Sequence, residues 1–412
     1  PTIAGLPYVT RLKAFIVLIV TALAGAALAA DPNPQDWPAV EAEATGQTIY
    51  FNAWGGEPRI NAYIAWAAGE LKARYGIDLV HVKVNDTASV VSQVLAEKTA
   101  GRDTNGSVDL VWINGENFAA MRKHDLLMSP GWATLLPNWT HVDVDGKPTV
   151  LTDATVRVDG LESPWGMAQL VFLHDTDTLA DPPRTLEALK AYILDHPGRF
   201  TYPQPPDFLG STFLKQLLVT LAPDRLALDR PATDENFDTQ VAPVFAYLDE
   251  ITPHLWRKGA AYPANVSELR RLFADRETDL AFTFNPADAS AAIADGELPG
   301  TVRPYVLDGG SIGNSHFVAI PYNASAKAGA LVTANFLLSP RAQARKADPT
   351  IWGDPTVLDI AGLGEADRAL FDALAEDPAL LPPSEMRPTL REPDPSWTER
   401  LERAWTVRYG TR

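Results

Sequence analysis

The chain has 412 residues, with 52 acidic against 35 basic side chains, a formal net charge of −17 and no cysteine. Its length is enough for two folded units, and 46% hydrophobic with 21% charged residues is typical of a globular protein. The lack of cysteine excludes disulfides, thiolate metal sites and cysteine nucleophiles, and the acidic balance argues against a surface for nucleic acid or anionic membranes.

Residues 1–30 have the three-part pattern of a secretory signal peptide. The basic residues Arg11 and Lys13 precede an apolar run, and small residues follow it up to predicted cleavage sites after Ala29 or Ala30. The alternative is a membrane anchor, but the apolar run is short for a span of about 20 residues. We therefore expect a signal peptide and no membrane insertion of the mature chain.

The composition also bears on where the mature chain resides. Without cysteine, the exported chain has no site for a thioether-linked lipid tether. A free exported protein stays with the cell only behind an outer barrier. The sequence therefore predicts a periplasmic protein of a Gram-negative cell.

After a Pro-, Ala- and acid-rich segment at 31–46, β-rich runs alternate with runs of helical apolar spacing. The pattern predicts strand Gln47–Ala53, helix Arg59–Tyr75, strand Ile77–Val84, helix Thr87–Ala100, strand Ser107–Ile113 and helix Glu116–Leu127. Such alternation is typical of a parallel sheet with right-handed crossovers.

The stretch 128–163 interrupts this alternation, and a second series follows. It comprises strand Ala168–His174, helix Thr185–His196, strand Arg199–Tyr202, a helix from about Ser211 to Leu221, helical stretches near 237–250 and 265–276, strands Asp279–Phe284, Val302–Leu307 and His316–Ile320, and helices Lys327–Leu338 and Trp397–Tyr409. We expect an α/β fold of two lobes, each a mostly parallel sheet flanked by helices. Lobe 1 is predicted to contain 31–167 plus 310–412, and lobe 2 to contain 168–309.

The candidate binding residues follow the predicted strands, because open α/β sheets bind ligands outside the carboxyl ends of their strands. Six loops at these ends are rich in Asn, Trp, Gly and Ser. They offer Asn52, Trp54, Gly55, Gly56, Asn85, Asp86, Trp112, Asn114, Glu116, Tyr202, Asp207, Ser211, Asn285, Asn314 and His316. A cleft between two lobes is the usual place for a ligand.

Several of these residues also have a purely structural interpretation. Trp54 offers a flat ring for stacking or for a cation, or else fills a core. Glu116 is a candidate acid but would equally stabilise the first turn of a helix. Asp86 suits an N-cap, and Ser211 suits a cap or an anion-binding helix start. His316 either contacts ligand or has a structural role.

We expect none of the short catalytic motifs G-x-S-x-G, H-E-x-x-H, the P-loop and G-x-G-x-x-G in this sequence. Paired carboxylates can perform acid–base chemistry without a short motif, so an exported hydrolase or lyase remains an alternative. We expect no catalytic residues, no cofactor and no resident metal.

Several of the same segments resemble one protein family over nearly the whole chain after the signal peptide. The runs are F-N-A-W-G-G, V-D-L-V-W-I-N-G-E-N-F, T-Y-P-Q-P-P-D-F, T-F-N-P, I-G-N-S-H-F-V-A-I-P, N-F-L-L-S-P and D-P-T-I-W-G-D-P. They resemble extracellular solute-binding proteins of ABC importers, in a branch near the thiamine-, polyamine- and ferric-iron-binding proteins. The resemblance implies a type II periplasmic-binding-protein fold that closes on a small molecule and docks on a permease with its ATPase.

The resemblance leaves the ligand open. Ferric-binding relatives typically use adjacent tyrosines, and this sequence has no Tyr-Tyr pair. Thiamine and polyamine relatives use aromatic faces and carboxylates, which Trp54, Trp112, Tyr202, Glu116 and Asp207 could supply. We expect a monomeric receptor for a small cationic nitrogenous solute, with no nucleic-acid partner. A sugar or a metal as ligand, or a sensory role without a transporter, are the alternatives.

Overall fold

The computed structural model describes residues 31–128, 131–374, 376–381 and 389–410. The predicted signal peptide at 1–30 lies outside them. The α-helices are α1 (Trp37–Ala44), α2 (Pro58–Tyr75), α3 (Thr87–Thr99), α4 (Glu116–Lys123), α5 (Leu186–Asp195), α6 (Phe208–Leu221), α7 (Asp234–Ile251), α8 (Val266–Ala274), α9 (Asp288–Ala294), α10 (Lys327–Leu337), α11 (Pro340–Ala347), α12 (Glu365–Asp372) and α13 (Pro395–Tyr409).

The strands are β1 (Thr48–Trp54), β2 (Asp78–Val84), β3 (Leu110–Ile113), β4 (Thr152–Asp153), β5 (Val156–Arg157), β6 (Glu162–Gln169), β7 (Val171–Asp175), β8 (Leu280–Thr283), β9 (Val302–Tyr305), β10 (Ser311–Ala319) and β11 (Thr389–Leu390). Short 3₁₀ helices lie at Ala133–Leu135, Pro137–His141, Pro148–Leu151, Arg225–Asp229, Thr252–His254, Trp256–Gly259 and Ile360–Gly362. The prediction of an α/β protein is confirmed. In the described part of the chain, no helix is both long and apolar enough to cross a bilayer.

Local sequence sets the ends of α2, the longest helix of the first predicted series. Pro58 takes the first helical position, and the Glu57 carboxylate accepts a hydrogen bond from the Arg59 backbone N–H at 3.3 Å. The helix ends at Gly76, whose positive φ of 70° lets its N–H reach back to the carbonyl of Lys72 at 3.1 Å. These signals place the helix within one residue of its predicted bounds.

The larger sheet has the order β11-β10-β3-β1-β2, with β6 paired to β10. Strand β1 pairs in parallel with β2 and β3, so the parallel pairing predicted from the alternation is confirmed there. Strand β10 runs antiparallel to both β3 and β6 and parallel to β11. The chain thus returns to the first sheet after building the second.

The smaller sheet has the order β8-β7-β9, and here the prediction of mostly parallel pairing is wrong. Both pairings recorded for it are antiparallel. Strands β8 and β9 run in the same direction, as expected for strands joined through a helix, but β7 lies between them and runs the other way. The predicted strand Arg199–Tyr202 forms no ladder, although the Phe200 carbonyl accepts from the Trp256 N–H at 2.8 Å.

Three hydrophobic cores hold these layers together. One face of the larger sheet, with Phe51 and Val318, packs against α2, α10 and α11. The other face, with Val111 and Phe317, packs against α3 and α4. The smaller sheet forms its own core with α5 to α9. Burial of these apolar surfaces is the main driving force for the fold.

The C-terminal helix belongs to the core of the smaller sheet. Its Trp397, Leu401 and Trp405 are buried there, and the Trp405 indole N–H donates to the Tyr202 hydroxyl at 3.0 Å. The predicted lobe 1 included 310–412, so the packing of α13 differs from that assignment because one apolar stripe of α13 completes the other core. The lobe boundaries otherwise stay a prediction.

Candidate functional site

Helix α6 brings a charged residue into an apolar environment. Its start differs from the prediction: the Asp207 carboxylate accepts from the N–H groups of Leu209 and Gly210 at 2.9 and 3.3 Å, so the helix begins at Phe208 and not at Ser211. The helix sequence, F-L-G-S-T-F-L-K-Q-L-L-V-T-L, has a single charged side chain, Lys215. That side chain is buried.

Lys215 forms a buried ion pair with Glu392. Its Nζ lies 2.5 Å from the Glu392 Oε1, and the two side chains are 7% and 5% exposed. Asn314 of β10 donates from Nδ2 to the Glu392 Oε2 at 3.2 Å, and its own Oδ1 finds no donor among the described residues. The ring of Phe208, itself half exposed, lies 5.6 Å from the ammonium. The pair therefore has an aromatic face on one side and an unpaired amide oxygen beside it.

Three further carboxyl groups surround this pair. Glu402 of α13 accepts from the Ser211 hydroxyl at 2.5 Å. Asp153 accepts at Oδ1 from the Gly115 N–H at 2.7 Å, at the start of α4, where Glu116 is the exposed first residue. We call Glu116, Asp153, Glu392, Glu402 and Lys215 together the acidic cluster.

The electrostatics of the acidic cluster favour additional positive charge. Burial raises the pKa of Asp153, and the carboxylates of Glu392 and Glu116 raise it further, against the opposing effects of the Gly115 N–H and Lys215. Burial likewise raises the pKa of Glu402. Burial alone would lower the pKa of Lys215, but the surrounding carboxylates outweigh it and raise that pKa. The acidic cluster thus has one ammonium group for four carboxyl groups.

The acidic cluster lies where elements of both sheets meet. Helix α4 belongs to a core of the larger sheet, and β10 is one of its strands. Helices α6 and α13 belong to the core of the smaller sheet. A solute held here would contact both parts of the molecule at once, which is the arrangement that ligand clefts use. Among the described residues, no group of three or more His, Asp or Glu side chains is arranged to hold a metal ion.

A family model for bacterial extracellular solute-binding proteins matches residues 66–366, about three quarters of the chain. The chain belongs to this family. Protein YnjB of Escherichia coli strain K12 is 45% identical to it over 379 residues, which cover 92% of this chain and 95% of YnjB. The resemblance to extracellular solute-binding proteins that was drawn from the sequence is confirmed.

Solved structures agree on the fold of this solute-binding protein. The spermidine/putrescine ABC transporter substrate-binding protein PotD of Streptococcus pneumoniae matches 88% of this chain and 98% of its own, with 15% identity and a TM-score of 0.62. The periplasmic binding protein AfuA of Actinobacillus pleuropneumoniae, solved with fructose-6-phosphate, matches 89% and 100%, with 14% identity and a TM-score of 0.60. The predicted type II periplasmic-binding-protein fold is confirmed.

Three of the predicted site residues lie at the acidic cluster. Glu116 is one of its carboxylates, Asn314 donates to Glu392, and Ser211 donates to Glu402. Asn114, half-buried, immediately precedes the Gly115 turn that contacts Asp153. The structure therefore brings together residues from three of the six predicted loops.

Trp112 and His316 lie in strands and not on a cleft loop: His316 is buried, and Trp112 is half-buried. His316 was predicted in a loop, but the segment around it pairs with β3 and β6 as strand β10. The His316 ring stacks on Trp352 at 6.1 Å, and Trp112 meets Trp165 edge-on at 5.0 Å. Burial lowers the pKa of His316. In this conformation, strand pairing and ring packing give these two residues a structural role.

The same aromatic group encloses a second buried lysine, Lys346 of α11. Its ammonium lies 4.1 Å from the Trp165 ring centre and 4.2 Å from that of Trp352. It donates to the Trp165 carbonyl at 2.8 Å, lies 3.0 Å from His316 Nε2, and forms a salt bridge with Asp354. Burial lowers the pKa of Lys346 to about 8, with Asp354 acting in the opposite direction.

Tyr202 is also a core residue. Its side chain is fully buried, its ring packs on Phe213 at 4.9 Å, and its hydroxyl accepts from Trp405. The sequence analysis placed it at the end of the predicted strand Arg199–Tyr202, where a loop begins. The docking of α13 over this position buries the ring and removes it from solvent.

Three candidates bind nearby backbone N–H groups, two of them as helix N-caps and Asn285 in the turn before α9. Asp86 caps α3, accepting from the Ala88 N–H at 2.9 Å, as predicted. Asp207 caps α6 in the same way, and Asn285 accepts from the Ala287 N–H at 3.0 Å before α9. Each side-chain oxygen thereby satisfies a backbone donor that would otherwise lack a partner.

The end of β1 forms a surface turn around Trp54. Trp54 is 37% exposed, and its ring covers Gly56, where a Cβ atom would lie 2.4 Å from the ring. The Gly55 N–H donates to the Val84 carbonyl at 3.1 Å. Only glycine fits beneath this ring, and the exposed part of the indole stays available for stacking.

The two remaining asparagines differ in exposure. Asn52 is 4% exposed, and its amide donates to the Tyr50 carbonyl at 3.4 Å on the same strand. Asn85 is exposed at the end of β2. The first is therefore enclosed by the larger sheet, and the second faces solvent.

One of the short catalytic motifs that were expected to be absent is present in the sequence, at a serine of β10. The run G-G-S-I-G at 309–313 matches the nucleophile-elbow pattern G-x-S-x-G. Ser311 is fully buried, however, and its hydroxyl donates to the Leu170 carbonyl at 2.6 Å. It lies in a strand and not in the exposed strand-to-helix turn that the mechanism needs.

The site residues predicted from the sequence did not include Lys215, Glu392, Glu402, Asp153 and Phe208. A signal existed for Lys215, because a single lysine in an apolar helix must find a buried partner. The three carboxylates carried none, since each comes from a segment that sequence periodicity does not place near α6.

Proposed function

We propose that the protein is the periplasmic receptor of an ABC importer and that it captures a small, polar, cationic nitrogenous solute at the acidic cluster. Thiamine-like and polyamine-like compounds are the chemical classes that fit. The receptor would close around the solute by a hinge motion and deliver it to a permease and its ATPase. It would act without chemical turnover of the solute and as a monomer.

The observation that carries this proposal is the excess of carboxyl groups over ammonium groups in the acidic cluster. Four acids face one lysine, and two of them, Asp153 and Glu392, are buried where little water can screen a charge. The unpaired Asn314 Oδ1 adds a neutral acceptor. A solute that brings both positive charge and N–H donors would satisfy the acids and the amide together.

Aromatic side chains at the edge of the acidic cluster support the same chemistry. Phe208 is 47% exposed and meets Phe284 edge-on at 5.3 Å. Its ring already faces the Lys215 ammonium, so its π-face is suited to a second cation or to stacking on a heteroaromatic ring. Trp54 offers a further exposed ring.

Ligand screening tests the proposal directly. We expect thiamine, spermidine or putrescine to raise the melting temperature of the purified protein by mass action and to bind in calorimetry, whereas neutral sugars and sugar phosphates do not. Native mass spectrometry should recover the bound compound unchanged. Stabilisation by neutral sugars, anions or ferric iron alone would contradict the proposed ligand class, and turnover would favour a carboxylate hydrolase or lyase.

Glu116→Gln is expected to weaken binding of the cationic solute by about 5- to 30-fold, because it removes one unit of charge from the exposed edge of the acidic cluster. Calorimetric affinities of both proteins measure the effect. Glu187→Gln is the matched control, since Glu187 is an exposed first-turn glutamate of α5. Equal losses in both variants would remove Glu116 from charge recognition.

A second expectation concerns a clasp between the two parts of the molecule. Arg59 of α2 forms a salt bridge with Asp295, just after α9, at 2.9 Å, and it donates to the Ala291 and Thr350 carbonyls at 3.3 Å. Helix α2 packs on the larger sheet, and α9 packs in the core of the smaller one. The guanidinium therefore stabilises the arrangement in which the two parts lie together.

Arg59→Met should weaken solute affinity by about 3- to 10-fold without touching the acidic cluster, because the closed arrangement loses population. Titration calorimetry gives the affinity, and small-angle scattering gives the compactness of the free protein. Arg341→Met is the control: Arg341 of α11 pairs with Glu70 of α2 at 3.0 Å, but both helices pack on the larger sheet. The same loss in both variants would assign the effect to general destabilisation.

A further inference from the structure

Asp153 has a second buried carboxyl group as its neighbour, Glu162 at the start of β6. Both residues are fully buried, so the ionised form of either would hold its negative charge away from water. Of their four carboxyl oxygens, only the Asp153 Oδ1 receives a hydrogen bond, from Gly115. The other three have no hydrogen-bond donor among the described residues.

Two buried carboxyl groups in one electrostatic neighbourhood cannot both be ionised at little cost. The charged groups that act on Asp153 are Glu116 of α4, Glu392 after β11, Lys215 of α6 and Glu162 of β6. The positive group that acts on Glu162 is Arg122 of α4, which is already bonded to Asp159 at 2.7 Å. Lys215 is already paired with Glu392 and Arg122 with Asp159, so ionising both carboxyls of the pair would leave buried negative charge without a counter-charge.

Asp153 itself belongs to the acidic cluster, and one turn of backbone connects the pair to the exposed Glu116. Asp153 accepts from the Gly115 N–H, and the next residue, Glu116, is the exposed edge of the cluster. A positive charge placed among Glu116, Glu392 and Glu402 would therefore lie next to Asp153. The Asn314 amide group donates to Glu392 of the acidic cluster, and its amide oxygen is buried and has no donor among the described residues.

We propose that Asp153 and Glu162 hold a proton in the free protein and release it when a cationic solute enters the acidic cluster. This inference rests on the proposed function and adds a proton balance to it. The O–H bond of the protonated carboxyl breaks, the proton passes to the solvent, and the new carboxylate charge is neutralised by the solute. No electron transfer and no further reactant are involved.

The burial-driven rise in the pKa of both groups agrees with this balance. Its sign is fixed: a nearby cation lowers the pKa of the pair, so the bound form carries fewer protons than the free form. Solute affinity should therefore rise with pH, by up to about tenfold per pH unit between the two pKa values. A neutral solute would show no such dependence.

Titration calorimetry of the whole protein tests the proton release. Thiamine, whose thiazolium carries a fixed charge, and spermidine are titrated at one pH in phosphate and in Tris, whose ionisation heats differ. We expect a release of about one-half to one proton per solute bound. Asp153→Asn keeps the acceptor for the Gly115 N–H and should abolish the release, as should Glu162→Gln. Glu116→Gln should bind more weakly and still release the proton.

A second measurement needs no ligand. The infrared band of a protonated carboxyl group should be present in the free protein at pH 7 and absent from the Asp153→Asn, Glu162→Gln double variant. Binding of thiamine or spermidine without proton release, or a missing carboxyl band, would overturn the inference and leave the proposed function intact. Failure of every cationic compound to bind would instead remove the proposed function.

Discussion

Replacing Lys346 with Met should lower the free energy of unfolding by about 3–5 kcal/mol, because it leaves the buried Asp354 carboxylate without its lysine partner. The ammonium is 1% exposed and lies between the rings of Trp165 and Trp352. Methionine fills much of the volume but supplies no charge. Urea unfolding of wild type and variant, read by tryptophan fluorescence, measures the loss.

The loss should depend on pH in one direction. In the wild type, burial and the neighbouring ammonium lower the pKa of His316, while Asp354 raises it. Without Lys346, the imidazole faces only the carboxylate at 3.0 Å, so its pKa rises and it takes up a proton as the pH falls. The Lys346→Met variant should therefore be closer to wild type at pH 5 than at pH 8.

A second substitution separates charge from packing. Lys346→Met combined with Asp354→Leu replaces the ion pair by two apolar side chains and should recover at least half of the lost free energy. A single variant that loses less than about 1 kcal/mol would show that the ion pair contributes little. A double variant no better than the single one would assign the loss to packing against the tryptophans.

Lys215→Met should destabilise the protein by a similar amount, about 3–5 kcal/mol, and should also change its response to ligand. Glu392 would lose its partner while the other carboxyls of the acidic cluster remain. A cationic solute would then supply the missing positive charge. We expect the same concentration of thiamine or spermidine to raise the melting temperature of this variant more than that of the wild type.

Lys190→Met is the matched control for that experiment. Lys190 pairs with Glu250 at 2.9 Å, but the side chains are 29% and 52% exposed, so the loss should stay below about 1 kcal/mol. Its melting temperature should respond to solute as the wild type does. If Lys215→Met responded less to the cation than the wild type, the lysine itself would be a contact to the solute, and an anionic group on the solute would be favoured.

The larger sheet could be predicted from sequence because its first half follows local rules. Helices α2 and α3 have apolar residues at helical spacing between strong start and stop signals, and β1 precedes α2 while β2 lies between the two helices. The predicted bounds of these elements agree with the structure to within about two residues. Capping at Asp86 is likewise a local property.

Strand pairing in the smaller sheet could not be predicted in the same way. The alternation of strands and helices indicates that β8 and β9 run in one direction, but it does not show that β7 enters between them directly from β6. Only a single residue, Leu170, separates β6 from β7. The change from the larger to the smaller sheet at Leu170 depends on long-range packing and not on the local sequence.

The candidate site shows the limits of the carboxyl-end rule. It led to Glu116, Asn314 and Ser211, which meet at the acidic cluster. It failed for Tyr202 and His316, because α13 and α11 cover those positions from segments far along the chain. The sequence does not distinguish an aromatic residue that stacks on a solute from one that packs on a tryptophan.

The position of α13 has a consequence for the order of folding. Trp397, Leu401 and Trp405 complete a core most of whose other members come from 170–312, and strand β10 completes the larger sheet from a distance. The core of the smaller sheet therefore lacks part of its buried surface until α13 has left the ribosome. A chain stopped before Pro395 would expose Tyr202 and Phe237 to water and become a substrate for chaperones and proteases. Synthesis through α13 is thus a condition for a stable native state.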